Sequence, residues 1–217
     1  MLAVTAGCTS SGGPRPGPAA TSSKAAAELT ALAGRGAAAT YTGFYSFHQV
    51  TPNSTATVDV WHAPPNLRVD VVAGGTTASF IRTAAATYSC ASKKGKLSCF
   101  TVAGRGQKPP APFDVGPATL FSDDLVTLSA SGASYDVTTA APVAASGSIP
   151  AATCFAVKSG LLTPQPAVQA ATYCFADNGV LTSVTYPSGN TARLFQLLRT
   201  VPPKRFVPYA TPRPLPS

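Results

Sequence analysis

Trp61–Val72 reads WHAPPNLRVDVV, Thr76–Arg82 reads TTASFIR, and Thr87–Phe100 reads TYSCASKKGKLSCF. Within these runs apolar and polar residues alternate with a period of two, and Gly74-Gly75 and Lys94-Gly95 interrupt the alternation. The pattern predicts four or five short antiparallel strands joined by tight turns. A two-residue loop at Lys94-Gly95 pairs Lys93 with Lys96, Ser92 with Leu97, Ala91 with Ser98 and Cys90 with Cys99. Counted outward from that loop, Cys90 and Cys99 form a non-hydrogen-bonded pair with Cα atoms ~4.5 Å apart, inside the ~4.4–6.8 Å that a disulfide accepts. A bridge across the hairpin is therefore expected.

Composition agrees with a fold built from short strands. Only 11% of the 217 residues are charged and 45% are hydrophobic, with Gly 18 and Pro 21 supplying turns. The formal net charge of +8 favours anionic surfaces such as lipid head groups or wall polymers. Nucleic acid is not expected as a partner, because the basic residues are scattered; Lys93, Lys94 and Lys96 read as a solvated turn. The cysteines at 8, 90, 99, 154 and 174 divide into one N-terminal thiol and two pairs, Cys90/Cys99 and Cys154/Cys174, which implies an oxidising compartment. A zinc site is not expected: the spacings are long, and His48 and His62 are the only histidines.

Along the chain, Lys24–Gly34 (KAAAELTALAG) is the first expected helix, with Ser23 as its cap and Leu29, Leu32 and Ala33 on the face toward the sheet. Strand alternation starts at Tyr41 and continues through Val58–Trp61. Pro117 opens a second expected helix, on which Phe121, Leu125 and Leu128 form an apolar stripe opposite Asp123 and Asp124. Further strands are expected at Ser134–Thr138, Ala152–Lys158, Ala171–Phe175, Val180–Tyr186 and Thr191–Leu198, with Asn178-Gly179 as the strongest hairpin signal. The tail VPPKRFVPYATPRPLPS is too rich in proline for a helix and is expected to run extended along an edge, with Phe206 and Val207 packed.

No catalytic residue is expected. The chain has no GxSxG, SxxK, HExxH or Walker-type loop, His48 and His62 read as strand residues, and Asp123 and Asp124 diverge on a helix. Trp61 reads as a core aromatic rather than a stacking platform. The expected protein is not an enzyme and needs no cofactor.

Two resemblances extend this reading. MLAVTAGC (Met1–Cys8), followed by a Ser/Gly/Pro-rich run, resembles the lipobox of bacterial lipoproteins, which implies residues 1–7 as the end of a signal peptide, Cys8 as the lipidated residue and 8–23 as a flexible tether. The strand meander with WHAPPNLRVDVV, the YSC…LSCF hairpin, the helix of TLFSDDLVTLSAS and the YCFADNGVLTSV hairpin resemble the lipoprotein-carrier (Lol-type) and lipid-binding lipoproteins. That resemblance implies an α+β fold: a strongly curved antiparallel sheet, a half-barrel over residues 24–210, with helices across its open face and 211–217 as a disordered tail. The function it implies is a monomeric lipoprotein on the extracytoplasmic face of the cell membrane, held by its lipid anchor. It would bind or carry a lipid or acyl chain without catalysis. Val69 and Val71 would form the wall, and Phe121, Leu125 and Leu128 the lid. The alternative is an anchored structural or interaction module with a collapsed core and no ligand.

Overall fold

The period of two that starts at Tyr41 is realised as one sheet of twelve strands. The computed structural model describes residues 19–107, 109–110, 117–131, 135–159 and 168–215; Cys8 and most of the expected signal and tether segment lie outside them. The first meander comprises β1 (Tyr41–Gln49), β2 (Ser54–Ala63), β3 (Asn66–Ala73), β4 (Thr76–Arg82), β5 (Ala86–Lys93) and β6 (Lys96–Gly104). A second contains β7 (Tyr135–Val143), β8 (Ala152–Ser159), β9 (Ala171–Ala176), β10 (Leu181–Thr185) and β11 (Thr191–Leu198). β12 (Arg213–Pro214) lies parallel to β6 at Phe100 and Thr101. The meanders join through β1 and β11, giving the order β12-β6-β5-β4-β3-β2-β1-β11-β10-β9-β8-β7.

The turn chemistry is the chemistry expected from the sequence. Lys94 and Gly95 both have positive φ, 49° and 77°, the conformation a two-residue hairpin loop demands. The resulting register opposes Cys90 to Cys99 and, in the second meander, Cys154 to Cys174. Each opposed pair is bonded, with Cα atoms 4.0 Å apart in both.

The α+β half-barrel expected from the resemblance is corrected. The molecule is mostly β: its sheet is open, and β12 makes it mixed rather than antiparallel. Helices do not form a layer across an open face. α1 (Ala19–Ala38) packs mainly against α3 (Leu125–Ser131) and the edge strand β7. α1 begins earlier and ends later than Lys24–Gly34, because its alanines tolerate the two glycines within a helix that is already packed.

The second helical segment starts at Pro117 with α2 (Pro117–Thr119), passes through a π turn at Leu120–Asp124 and continues as α3. Phe121, Leu125 and Leu128 are buried, but so is Asp124, which the helical pattern puts on the opposite face. A π turn accommodates one extra residue, and this rotates Asp124 inward. The tail also departs from expectation: Pro203–Phe206 is a single 3-10 turn, and Val207 is exposed.

One face of the sheet and the inner faces of the helical segments share a core containing Leu29, Leu32, Tyr45, Val60, Val69, Phe121, Leu128 and Phe155. Tyr45 is completely buried, and its hydroxyl donates to the Leu181 carbonyl at 2.8 Å. The ring lies beside Gly43, where a Cβ would meet Tyr45 Cε2 at 2.7 Å, and packs on Phe121 with centroids 4.8 Å apart. The C-terminal end of α1 is held against the β9–β10 turn. Arg35 Nε donates to the Asp177 carbonyl at 2.9 Å, and Gly36 lies directly on the backbone of Gly179.

This contact predicts a contrast between two glycines of one helix. A Cβ on Gly36 would overlap the Gly179 carbonyl, whereas a Cβ on Gly34 meets nothing within 4 Å. Gly36→Ala should cost about 1–3 kcal/mol through overpacking. Gly34→Ala should be neutral or gain up to about 1 kcal/mol of helix propensity. Urea unfolding of both variants checks this; equal midpoints would overturn the close approach.

Candidate functional site

The strand registers assemble a row of residues from one end of the sheet. Tyr41 opposes His62, His62 opposes Leu67, Leu67 opposes Arg82, Arg82 opposes Thr87, and Thr87 opposes Ala103. All six lie on the inner face, because they share the parity of the core residues Val60, Val69 and Phe80. The next row inward, Gly43, Val60, Val69 and Phe80, is closed by side chains. In the end row Tyr41, Leu67, Thr87 and Ala103 are buried as well, and His62 and Arg82 are the two left partly exposed.

Two adjoining clefts lie between this end of the sheet and the second helical segment. One, of about 390 Å³, is lined by Tyr41, His62, Pro64, Pro65, Phe121 and Leu125. The other, of about 690 Å³, is lined by Phe80, Thr87, Gln107, Ser122, Asp123 and Thr127. Arg82, Thr83, Gly106 and Val126 line both, so the clefts are continuous around the Arg82 side chain. Val126 is the exposed apolar residue of the rim.

Electrostatics single out Arg82. The guanidinium is partly desolvated, which lowers its pKa, and the Asp123 carboxylate acts against that shift. Among the described residues, its one hydrogen bond is Nη1 donating to the Ser122 carbonyl at 3.4 Å. The only salt bridge among the described residues is elsewhere, between Arg68 and Asp70 at 2.7 Å on the other face of the sheet. Within the described residues, most of the five donors of Arg82 therefore face the clefts.

His62 is committed to structure. Its Nδ1 is 2.7 Å from the Ala39 carbonyl, a spacing at which Nδ1–H donates, and its ring packs on Tyr41 with centroids 5.4 Å apart. Burial lowers its pKa from 6.5; the bond to Ala39 works against this and the charge of Arg82 adds to it. Among the described residues, no group of three His, Cys, Asp or Glu side chains gathers as metal ligands would. With apolar walls in the smaller cleft, polar ones in the larger, and Arg82 beside Asp123 between them, the arrangement can hold a segment of chain or an amphipathic molecule.

The sequence-predicted residues divide between core and cleft. Val69 and Leu128 are fully buried in the core, and Val71 is half-buried at its margin. Phe121 and Leu125 are buried too, yet their outer surfaces line the smaller cleft. Sequence reasoning missed Arg82 and Val126, while His62, read as a packed strand residue, is one and also lines the smaller cleft. The available signal was parity: in TTASFIR, Arg82 falls on the same strand face as Phe80, a lone cation on an apolar face.

On the outer face, Arg68 grips Asp70 with two bonds, Nε to Oδ1 at 2.7 Å and Nη2 to Oδ2 at 2.8 Å, and Nη1 donates to the Arg205 carbonyl at 3.0 Å. The Arg205 guanidinium stacks over Trp61, 4.7 Å from the ring centroid. Tyr209 and Ala210 pack over Ile81 and the Cys90–Cys99 bridge. Trp61 thus anchors the C-terminal strap.

No family model matches the sequence, and no curated protein matches it. Among solved structures, the chain is similar to the crystal structure of MucB, with a TM-score of 0.51 and 16% identity over 84% of this chain and 61% of that one. The crystal structure of MucB in complex with MucA(peri) overlays at 0.46 with 14% identity, covering 82% of this chain and 57% of that one. The Pseudomonas aeruginosa MucA/MucB complex overlays at 0.46 with 15% identity, covering 82% and 59%. The chain thus spans less than two thirds of the MucB chains it matches, and at these identities the likeness is one of fold. It does not single out the Lol-type lipoproteins.

The setting of His62 predicts a pH dependence. Since burial holds its folded-state pKa below 6.5, the unfolded chain takes up the proton first as the pH falls. Stability from the neutral ring is then fully present above about 6.5 and is lost as the pH falls toward the folded value. NMR titration of the ring should give a midpoint below 6.5, and urea unfolding should show the loss in that window; a midpoint at or above 6.5 would overturn the assignment.

Proposed function

We propose that this protein is a non-catalytic interaction module of the cell envelope that docks a segment of a partner protein in the cleft around Arg82. The observation that carries this reading is that the space beneath the second helical segment is filled. Tyr45, Val69 and Leu128 have no exposed surface. The open volume lies at the sheet end instead: a smaller cleft with Tyr41, Pro64, Pro65, Phe121 and Leu125 in its wall and a larger, more polar one bearing Asp123, joined at the half-buried Arg82. A filled interior favours docking at the rim over enclosure of an acyl chain, and an apolar pocket with a few directed polar groups suits a side chain or turn of a partner. MucB, with which this chain shares a fold, is crystallised with a protein partner, MucA; a protein partner is the class proposed here.

Location supports the same reading. Two disulfides are characteristic of an oxidising compartment outside the cytosol. Acylation at Cys8 would then tether the module to the membrane through the Ser/Gly/Pro-rich segment that follows. With a complete signal sequence supplied, Cys8→Ala should move the protein from the membrane fraction to the soluble one. Unchanged fractionation would remove the anchor.

The docking site is tested by placing a photo-crosslinking residue at Val126 and irradiating the protein in its native host. A protein adduct is expected. Arg82→Glu should weaken it at least tenfold, about 1.4 kcal/mol, while Asp136→Ala on the exposed edge of β7 leaves it intact. A lipid adduct alone would restore the ligand-carrier alternative.

A further inference from the structure

We infer that the free edge of β6 beside the lysine-rich hairpin tip is a second docking site, which takes an extended acidic segment of a partner by strand addition. β6 is nine residues long, yet only Phe100 and Thr101 pair with β12. Cys90 and Cys99, with Cα atoms 4.0 Å apart, form a non-hydrogen-bonded pair, so Leu97, two residues away, does as well. The N–H and C=O of Leu97 therefore point away from β5, and no strand among the described residues meets them. The edge accepts extended chain, since the protein's own Arg213–Pro214 already pairs there. That cover is weak: it is two residues long, and Pro214 has no N–H to donate.

Side chains define what would add. Lys93, Lys94 and Lys96 are exposed around this stretch, and Leu97 is 52% exposed. From Val71 to Phe113 the sequence contains no aspartate or glutamate, so nothing local neutralises the lysines. An added strand places alternate side chains on opposite faces. Carboxylates would meet Lys96 on one face, and an apolar residue would cover Leu97 on the other. Lysine and proline at an edge also serve to repel unwanted strands; a partner of opposite charge turns that barrier into selectivity. The inference is independent of the Arg82 cleft.

The test uses the full chain and a fluorescent octapeptide of alternating glutamate and valine, followed by anisotropy. Binding is expected, and a lysine/valine peptide should not bind. Leu97→Pro removes an edge-facing N–H without breaking a β5–β6 hydrogen bond and should weaken binding at least tenfold, as should combined Lys93→Glu, Lys94→Glu and Lys96→Glu. Should Leu97→Pro fail to fold, hydrogen exchange on the unaltered chain reads the same contact: the Leu97 amide must gain protection when the peptide is added. Absence of binding, binding unchanged by Leu97→Pro in a folded variant, or no added protection would overturn the inference. So would a dimer in sedimentation that Leu97→Pro dissolves and the peptide leaves intact, because the edge would then serve a second copy of the chain.

Discussion

The molecule is closed around Tyr45. Its strand, β1, lies in the middle of the sheet order with a meander on either side, so whatever fixes this side chain fixes both halves. The ring occupies the space that Gly43 leaves on the same strand face, a pairing in which an aromatic covers the backbone of a neighbouring glycine. Its hydroxyl, fully removed from water, donates to the Leu181 carbonyl of the second meander, and its face meets Phe121 of the π turn. A buried phenol left without that acceptor carries a penalty of about 1–3 kcal/mol. One side chain thereby links the centre of the sheet, the far hairpin and the helical segment that borders the cleft.

From this closure follows the placement of the open site. Core rows of small and branched residues are sealed by the helical segments, and the row at the strand ends is left with Tyr41, His62 and Arg82. These three reach different outcomes by the same physics. Burial raises the phenol pKa of Tyr41 beyond the accessible range, keeps His62 neutral, and leaves Arg82 charged because no pH in ordinary use deprotonates a guanidinium. The rim therefore keeps the positive charge of Arg82 at every ordinary pH, with the Asp123 carboxylate beside it in the larger cleft.

Local structure was legible in the sequence because it is determined locally. Lys94-Gly95 fixed the β5–β6 register, Asn178-Gly179 fixed the β9–β10 turn, and the stripe Phe121, Leu125 and Leu128 identified a buried helical face. The fold class was not legible, since it depends on β1 meeting β11, where Thr42 pairs with Leu198 across the length of the chain; no periodicity encodes a partner so far away. The inward turn of Asp124 was hidden by the assumption of a uniform helix, which a single π turn breaks. Arg82 was visible as a cation on an apolar strand face, but its role depends on standing at the end row, and that requires all six strands in register. Trp61 was correctly read as packed, while the strap that packs it comes from residues whose prolines suggested only extension.

The junction of β1 with β11 also governs how the protein must form. Each meander is assembled from neighbours in sequence, so each can gather quickly once its turns close. The union of the two must wait until Thr191–Leu198 is present, because that strand alone covers the second side of β1. Any chain ending before Thr191 would carry nine residues of β1, including Tyr45 and Phe47, as a bare strand edge in the middle of what should be a continuous sheet. The central seam thus closes only after both meanders have been made, and until then it is a long strand edge exposed to misassembly.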